Sequence, residues 1–224
     1  MMNTTITLDI ETIGTQRQDV RDYIAATIKP PGTIKLPASI EKWNKESKTE
    51  AVDEAISKTG LDGAFGQIVC IGYDLDDSGH PSVIFGLDEP VLLAQFNEVL
   101  STIPSNMHSA MQIVGHNVLQ FDIRFLWQRF IVNGIRPHPI INMAVNAKAW
   151  DNKVYDTMIQ FAGHGNRISL DKLCLALRVP SSKTDMDGSM VGQAVADGRI
   201  EEVAEYCKRD VAATRECFKR MTFA

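Results

Sequence analysis

Several features of specialised protein classes are missing from this chain of 224 residues. Its four cysteines are scattered, with no Cys-x-x-Cys pair and no cysteine–histidine cluster at zinc spacing. We therefore expect free thiols in a reducing cytosol rather than a structural zinc site. No apolar run approaches the roughly 20 residues that a membrane helix needs, so no membrane contact is expected. Residues 1–5 show neither the basic nor the apolar region of a signal peptide, which predicts a cytoplasmic protein.

An excess of positive charge is missing as well, because the formal net charge is -5. This balance disfavours a protein that coats nucleic acid through counterion release alone. An enzyme whose acidic site is offset by bound Mg²⁺ stays compatible, since the ions then supply the local positive charge. The length and the ordinary globular composition, 44% hydrophobic and 23% charged, predict a single domain over residues 1–224.

Hydrophobic periodicity predicts strands first, and then helices that alternate with strands. The predicted strands cover residues 5–10, 66–73, 81–86 and 112–115. The predicted helices cover residues 88–103, 122–133, 169–177, 188–197 and 200–221. Asp88 is the expected N-cap of the first helix, and Gly134 is the expected stop of the second. The order is typical of an α/β or α+β sandwich around a mixed sheet.

A long segment separates the first two predicted strands. It has some 55 residues, which is unusual for a connection without structure of its own. Apolar side chains recur at helical intervals over residues 39–59, so we expect an extended arm and one or two amphipathic helices, an insertion at about 28–62. Between Lys29 and Lys58, six lysines nearly cancel five acids, which is typical of a solvated face. The functional alternative is a flap that guides a strand beside an active site.

Two acids, Asp9 and Glu11, lie at the end of the first predicted strand. Residues two apart in a strand project from the same face, so both carboxylates point one way. Like charges in this arrangement repel each other unless a cation lies between them. Such a pair alone is also typical of a helix cap or a solvated strand end.

A third acid, Asp122, follows the predicted strand at 112–115 after a short turn. His116 and Asn117 have turn chemistry, and Phe121 directly precedes Asp122. Asp122 starts a predicted helix, where the helix dipole favours a carboxylate. A turn amide, a core aromatic and a helix-start acid are the structural alternatives.

Tyr206 and Asp210 are four residues apart on the last predicted helix, so they share one face. They border an apolar stripe that we expect to pack on the sheet: Val203, Cys207, Val211, Thr214 and Phe218. A cleft would run along this border. The alternative is a boundary tyrosine and a surface aspartate that pairs with Lys208 or Arg209.

Together these motifs resemble those of the DEDD 3′-5′ exonucleases, from residue 5 to about residue 220. Asn117 to Asp122 is similar to the second exonuclease motif, Asn-x₂₋₃-(Phe/Tyr)-Asp. Tyrosine at position 206 is typical of the tyrosine subclass, DEDDy, rather than the histidine subclass. The resemblance implies an α/β ribonuclease-H-like fold with a mixed central sheet flanked by helices.

The same resemblance implies hydrolysis of a 3′ end to nucleoside 5′-monophosphates by a two-metal mechanism. Two divalent cations, Mg²⁺ or Mn²⁺, would be held by four carboxylates: Asp9, Glu11, Asp122 and Asp210. Tyr206 would orient the attacking water. Contacts to the substrate would come from five further residues: Ile10, Thr12, His116, Asn117 and Phe121.

Further stretches resemble phage and prophage proteins related to the exonuclease domain of family B DNA polymerases. They are residues 28–32, 41–43, 60–68 and 183–188. We therefore expect a stand-alone exonuclease acting on single-stranded or frayed DNA in a bacterial or phage-infected cell, with replication or recombination proteins as candidate partners. The alternatives are an RNA-trimming 3′-5′ exoribonuclease and a catalytically idle nucleic-acid-binding or processivity factor.

Three hypotheses about single positions stay open at this point. For Lys183 and for the pair Asp187–Gly188, one hypothesis is contact with the substrate, and the alternative is a surface loop. Asp156 caps a helix, or it contacts the substrate or supports the site from behind.

Overall fold

The computed structural model describes residues 5–75, 78–148, 151–181 and 186–224. They form one five-stranded sheet with helices on both faces. The strands are β1 (Thr5–Ile13), β2 (Gln67–Leu75), β3 (Ser82–Phe85), β4 (Gln112–Gly115) and β5 (Val154–Asp156). The helices are α1 (Gln18–Thr27), α2 (Pro37–Glu46), α3 (Lys48–Lys58), α4 (Glu89–Ser101), α5 (Asp122–Val132), α6 (Pro139–Ala144), α7 (Thr157–Ala162), α8 (Leu170–Leu177), α9 (Val191–Ala196) and α10 (Ile200–Thr222).

The sheet is mixed, as the sequence predicts, and its strand order is β3-β2-β1-β4-β5. The first three strands in the chain are antiparallel neighbours. β4 pairs with β1 in parallel, and β5 pairs with β4 in parallel. This arrangement places β1, the strand with the first two acids, at the centre of the sheet.

Successive side chains of β1 project alternately from the two faces of the sheet. Ile6, Leu8 and Ile10 are buried in the larger core, which α4 and α5 complete. Ile13 lies in a second core with residues of α9 and α10. Asp9 and Glu11 are an even number of residues from Ile13, so they lie on the same face of β1 as Ile13. Both therefore project toward α10 rather than into the larger core.

The insertion at 28–62 contains α2 and α3, as predicted, and a 3-10 turn at Thr59–Leu61 ends it. Its last turn is joined to the end of β1. The Thr12 hydroxyl donates to the Gly60 carbonyl at 2.5 Å, and the Thr15 N–H donates to Thr59 Oγ1 at 2.7 Å. Lysines of the two helices pair with acids one turn away, which agrees with a solvated outer face.

Most predicted elements are confirmed. Asp88 caps α4 by accepting from the Val91 N–H, and Gly134 ends the α5 region with a φ of 66°. The predicted helix at 188–197 is divided into a 3-10 turn, Gly188–Met190, and α9. The sequence patterns did not predict α1, α6, α7 and β5. In the described part of the chain, no helix is long and apolar enough to cross a membrane.

Candidate active site

The first part of the site is a gap in the sheet beside β1. β4 pairs with β1 only over Thr5–Thr7 and ends at Gly115, so the later residues of β1 lack a strand partner on that side. The Asp122 carboxylate accepts from the Ile10 N–H at 3.0 Å and takes the place of the missing partner. This single bond brings the first acid of α5 next to the strand that carries Asp9 and Glu11.

Asp156 holds the turn that delivers Asp122. Its carboxylate accepts from the N–H groups of Asn117 and Leu119 at 3.0 and 3.1 Å. It also accepts from Met158 and Ile159 at the start of α7. Asp156 is almost fully buried and all four bonds are to the main chain. The structure therefore supports two of the roles considered for Asp156: it caps α7, and it supports the site by holding the turn before Asp122.

The remaining residues of the turn surround the gap. Both ring nitrogens of His116 contact protein groups, Thr157 Oγ1 at 3.0 Å and the Ile168 carbonyl at 2.9 Å. Asn117 adopts a left-handed φ of 63°, and its Oδ1 is buried without a hydrogen-bond partner among the described residues. Phe121 is half-buried and packs on Phe125, with ring centroids 5.4 Å apart. Asn117 and Phe121 thus retain groups that can contact a substrate, whereas the His116 ring supports the turn.

α10 supplies the third part of the site. Tyr206 and Asp210 are both buried, at 6% and 8% exposure, and Val203, Cys207 and Val211 face the sheet as predicted. Lys208 pairs with Glu205 at 2.9 Å rather than with Asp210. The hypothesis of a surface aspartate is therefore wrong.

A glycine in β2 lets α10 lie close to the first acid. Gly72 is directly opposite Asp9 in the β1–β2 pairing. A Cβ at Gly72 would lie 2.7 Å from Cys207 Sγ and 2.9 Å from Val211 Cγ2, which are closer than van der Waals contacts permit. A larger residue would require the side chains of Cys207 and Val211, or α10 with them, to shift.

Cys207 is the site residue that the sequence analysis assigned only to the apolar stripe. Its thiol donates to Asp9 Oδ2 at 3.5 Å, and potential ligand atoms of Asp9, Glu11 and Cys207 lie within 4.8 Å of one another. Burial and then the charge of Asp9 raise the pKa of the thiol well above its usual range, so it stays protonated and acts as a donor. Its position next to Tyr206 in the sequence could have indicated this contact with Asp9, because the sheet-facing side of α10 packs on the strand that carries Asp9.

The four carboxylates repel one another inside the protein. Burial is the largest cause that raises the pKa of Asp9, followed by the charges of Asp210, Glu11 and Asp122. Burial and then Asp210 and Asp122 raise the pKa of Glu11. The pKa of Asp122 is raised to about 7, chiefly by burial, although its hydrogen bonds from main-chain N–H groups oppose the shift. Asp9, Glu11 and Asp122 therefore each hold a proton more tightly than they would in water.

Among the residues that the structure describes, no basic side chain relieves this repulsion at three of the acids. In the described ranges, no Lys, Arg or His forms an ion pair with Asp9, Glu11 or Asp122. Clustered carboxylate oxygens without a basic partner are the donor set that hard divalent cations prefer. The residues present therefore fit a divalent metal ion.

Comparison with known proteins agrees with this geometry. A family model described as "Predicted 3'-5' exonuclease related to the exonuclease domain of PolB" matches residues 84–224. The chain belongs to this family. The matched range includes Asp122, Tyr206 and Asp210, and it begins after Asp9 and Glu11. Among curated proteins, no sequence match was found.

Among solved structures, the chain is similar to the family B DNA polymerase from the hyperthermophilic archaeon Pyrobaculum calidifontis. The TM-score is 0.58 at 12% sequence identity, over 100% of this chain and 25% of the polymerase chain. The chain thus spans a quarter of the polymerase that it matches. The likeness and the mixed sheet confirm the ribonuclease-H-like fold.

The structure brings together the five predicted catalytic residues from three separate elements, β1, α5 and α10. Ile10 and Thr12 also lie at the site, but the Ile10 N–H is bound to Asp122 and the Thr12 hydroxyl to Gly60. Asp187 caps the 3-10 turn at Gly188–Met190 by accepting from the Ser189 N–H. Lys183 lies outside the described residues.

Proposed function

We propose that the protein is a metal-dependent 3′-5′ exonuclease of the DEDDy type that shortens single-stranded or frayed DNA and releases nucleoside 5′-monophosphates. The observation that carries the proposal is the cluster of four carboxylates around the end of β1, bordered by Tyr206. A protein that only binds nucleic acid has no reason to keep such a repulsive cluster. The finer assignment to DNA rests on the polymerase-related family alone.

Two cations, Mg²⁺ or Mn²⁺, would neutralise charge on the scissile phosphate and promote ionisation of water when bound. Asp9, Glu11, Asp122 and Asp210 would hold them. The bond from the Ile10 N–H fixes Asp122, and the Cys207 thiol fixes Asp9. The positions of the Asp122 and Asp9 carboxylates are thus set before a substrate arrives, which lowers the cost of ordering them.

Tyr206 has a positioning role in this proposal. Burial, and then the charge of Asp210, raise the pKa of the phenol well above its usual range. The hydroxyl therefore stays protonated at neutral pH and cannot act as a general base. It can orient a water molecule through a hydrogen bond, with Asp210 one turn away on α10 as its present partner.

The strand would enter along the open side of β1. Asn117 and Phe121 would contact the terminal ribose and base, and stacking on the phenyl ring would tolerate any sequence. We also propose that the chain acts as one unit over residues 1–224, with the insertion at 28–62 as a flap that guides the strand.

The decisive experiment is a gel assay with a 5′-labelled single-stranded DNA oligomer in Mg²⁺, Mn²⁺ or EDTA. We expect a metal-dependent ladder that shortens from the 3′ end. Asp9→Asn should lose at least about a thousandfold in rate because it removes a ligand charge, whereas Tyr206→Phe should lose about ten- to a hundredfold. Glu98→Gln, which changes an exposed acid of α4 outside the insertion, is the control and should keep the wild-type rate.

An RNA oligomer of the same sequence completes the design. Shortening of RNA but not DNA would replace the proposal with the exoribonuclease alternative. Survival of both with either metal would support the idle binding factor. Equal, complete loss in Asp9→Asn and Tyr206→Phe would contradict the proposed division of roles.

A further inference from the structure

Two of the four cysteines meet where α8 packs on α10. Cys174 and Cys217 are completely buried, and their sulfur atoms lie 3.7 Å apart. The two residues are 43 positions apart in the sequence, so the fold alone brings them together. Because the S–S bond of a disulfide is about 2.05 Å long, the sulfurs need to approach each other by less than about 2 Å to form one. The folded protein therefore presents two thiols that are close to bonding distance.

The surroundings of the pair are apolar and do not form a metal site. Val179 and Ala213 are buried in the same cluster as the two cysteines. Within the described ranges, the grouping of potential metal ligands lies at the end of β1 and does not include this pair. Two thiols without further ligands do not hold a structural zinc ion, which needs four. Oxidation to a disulfide is the chemistry that remains open to them.

A surface cavity of about 280 Å³ leads toward the pair, between α10 and the residues that follow α8. Val179 and Ala213 line this cavity. The Val179 N–H donates to the Cys174 carbonyl at 2.9 Å, and Ala213 is one turn before Cys217 on α10. The cavity therefore ends close to both thiols. A small neutral oxidant such as hydrogen peroxide fits it easily, whereas a large reagent would have to displace the helices.

The pair also differs in reactivity from the other two cysteines. The hydrogen bond with Cys217 lowers the pKa of Cys174. Burial, and then the charges of nearby acids, raise the pKa of Cys70 and of Cys207. Since the thiolate is the nucleophile in cysteine oxidation, Cys174 is the residue that we expect to react first.

We propose that Cys174 and Cys217 are an oxidation site, at which a peroxide joins the two sulfurs in a reversible disulfide that ties α8 to α10. The Cys174 sulfur attacks one peroxide oxygen and breaks the O–O bond, which gives a sulfenic acid and one water molecule. The Cys217 sulfur then attacks the Cys174 sulfur, and the hydroxyl leaves as a second water molecule. The two thiols thus lose two electrons and two protons, and the peroxide accepts them.

The bond would fasten α10, the helix that carries Tyr206 and Asp210, to its neighbour. Where thiols are kept reduced, disulfides of this kind are transient and respond to oxidants. The inference does not depend on the proposed exonuclease function, because the bond itself is measured.

The test treats the folded wild-type protein with a few equivalents of hydrogen peroxide, then unfolds it and alkylates the remaining thiols. Trypsin places Cys174 in the peptide 173–178 and Cys217 in the peptide 216–219, so mass spectrometry identifies their link directly. We expect this link as the main product, with Cys70 and Cys207 alkylated. Dithiothreitol should restore both thiols. Protein oxidised while unfolded in urea should instead give mixed pairs, because the fold no longer selects partners.

Variants and thermal unfolding complete the design. Cys217→Ser should form no link, and Cys217→Ala, which suits the apolar cluster, is the second variant should the serine disturb folding. In wild type, the disulfide should raise Tm by roughly 5–10 °C, since it restricts the unfolded chain, and peroxide should not raise Tm in Cys217→Ala.

Three results would overturn the inference. The first is a folded wild-type protein that forms no link between residues 174 and 217. The second is mixed pairing in the folded protein like that in urea. The third is a lower Tm after the link has formed, because the two thiols would then not be aligned for a bond. Absence of nuclease activity would overturn the proposed function and leave this inference standing.

Discussion

Asp122 illustrates how one residue links the fold to the chemistry of the site. Its carboxylate completes the hydrogen bonding of β1 where β4 ends, and it is buried at 3% exposure. Burial raises its pKa to about 7, so the folded protein without metal binds this proton more tightly than the unfolded chain. An aspartate in the unfolded chain titrates near pKa 3.9. Stability without metal should therefore depend on the protonation of this residue.

The sign of this dependence gives the first prediction. As pH rises from about 4 to 7, the unfolded chain releases the Asp122 proton first, so the free energy of unfolding should fall in EDTA. Asp122→Asn keeps an acceptor for the Ile10 N–H and removes the titration. At pH 8 in EDTA it should exceed wild type in stability by on the order of 2 kcal/mol, and near pH 4 the difference should vanish.

Urea denaturation in EDTA at a series of pH values measures the effect. The free energy of unfolding of Asp122→Asn should fall less steeply with pH than that of wild type. Its slope should not be zero, because Asp9 and Glu11 also have raised pKa values. The exposed Asp53→Asn should follow wild type throughout. Parallel curves for Asp122→Asn and wild type would refute the assignment of this titration to Asp122.

Among the elements, α10 connects the sheet to two of the proposed catalytic residues. Its sheet-facing residues were predictable because the apolar positions recur at helical spacing over 23 residues. Its distance from the sheet was not predictable, because that distance depends on Gly72 in β2. Only the tertiary structure shows that this glycine is opposite Asp9 in the sheet and lies against Cys207 of α10.

Gly72→Ala should therefore disturb both stability and activity. The new methyl group would force α10 outward, which should cost about 1–3 kcal/mol of stability. It should also lower kcat about tenfold or more, since Tyr206 and Asp210 would move away from Asp9. Urea denaturation and the oligomer assay measure the two effects.

Gly192→Ala in α9 is the matched control for this variant. A Cβ at Gly192 has no atom within 4 Å, and alanine favours a helix, so this variant should be as stable as wild type or slightly more stable. Wild-type kcat in Gly72→Ala, with its stability lowered, would show that the position of α10 is not critical for catalysis.

The elements that were not predicted share a physical reason. β5 has three residues, too few for an alternating pattern, and it forms because β4 offers it a parallel partner. α1 buries only Val20, so its sequence has hardly any apolar periodicity to recognise. α6 and α7 have six residues each, and caps and tertiary contacts define them. The longer helices with one buried face were therefore predictable, whereas these four elements were not; β3 and β4, with four residues each, were predicted in spite of their length.

At the scale of the whole molecule, the site depends on bringing together acids that lie about 200 positions apart in the sequence. The identity of these acids was predictable from motif order and spacing. Their shared burial and the absence of an ion pair at Asp9, Glu11 and Asp122 among the described residues could be known only from the fold. The contacts of Cys207 and Asp156 with the site also required the fold, since each acts through neighbours distant in sequence.

This assembly predicts that metal ions stabilise the whole fold. A cation bound only by the folded state adds about 2.7 kcal/mol when its concentration is a hundred times Kd. For a domain of this size the rise in Tm should be roughly 5–10 °C.

Thermal unfolding in EDTA and in rising Mn²⁺ measures this rise in Tm. The rise should be much smaller in Asp9→Asn and the same as in wild type in Asp53→Asn. An equal gain in Asp9→Asn would place the ion elsewhere on the molecule. No gain in wild type, in Mn²⁺ or Mg²⁺, would favour the idle binding factor, because a carboxylate cluster that no cation relieves cannot perform metal-dependent hydrolysis.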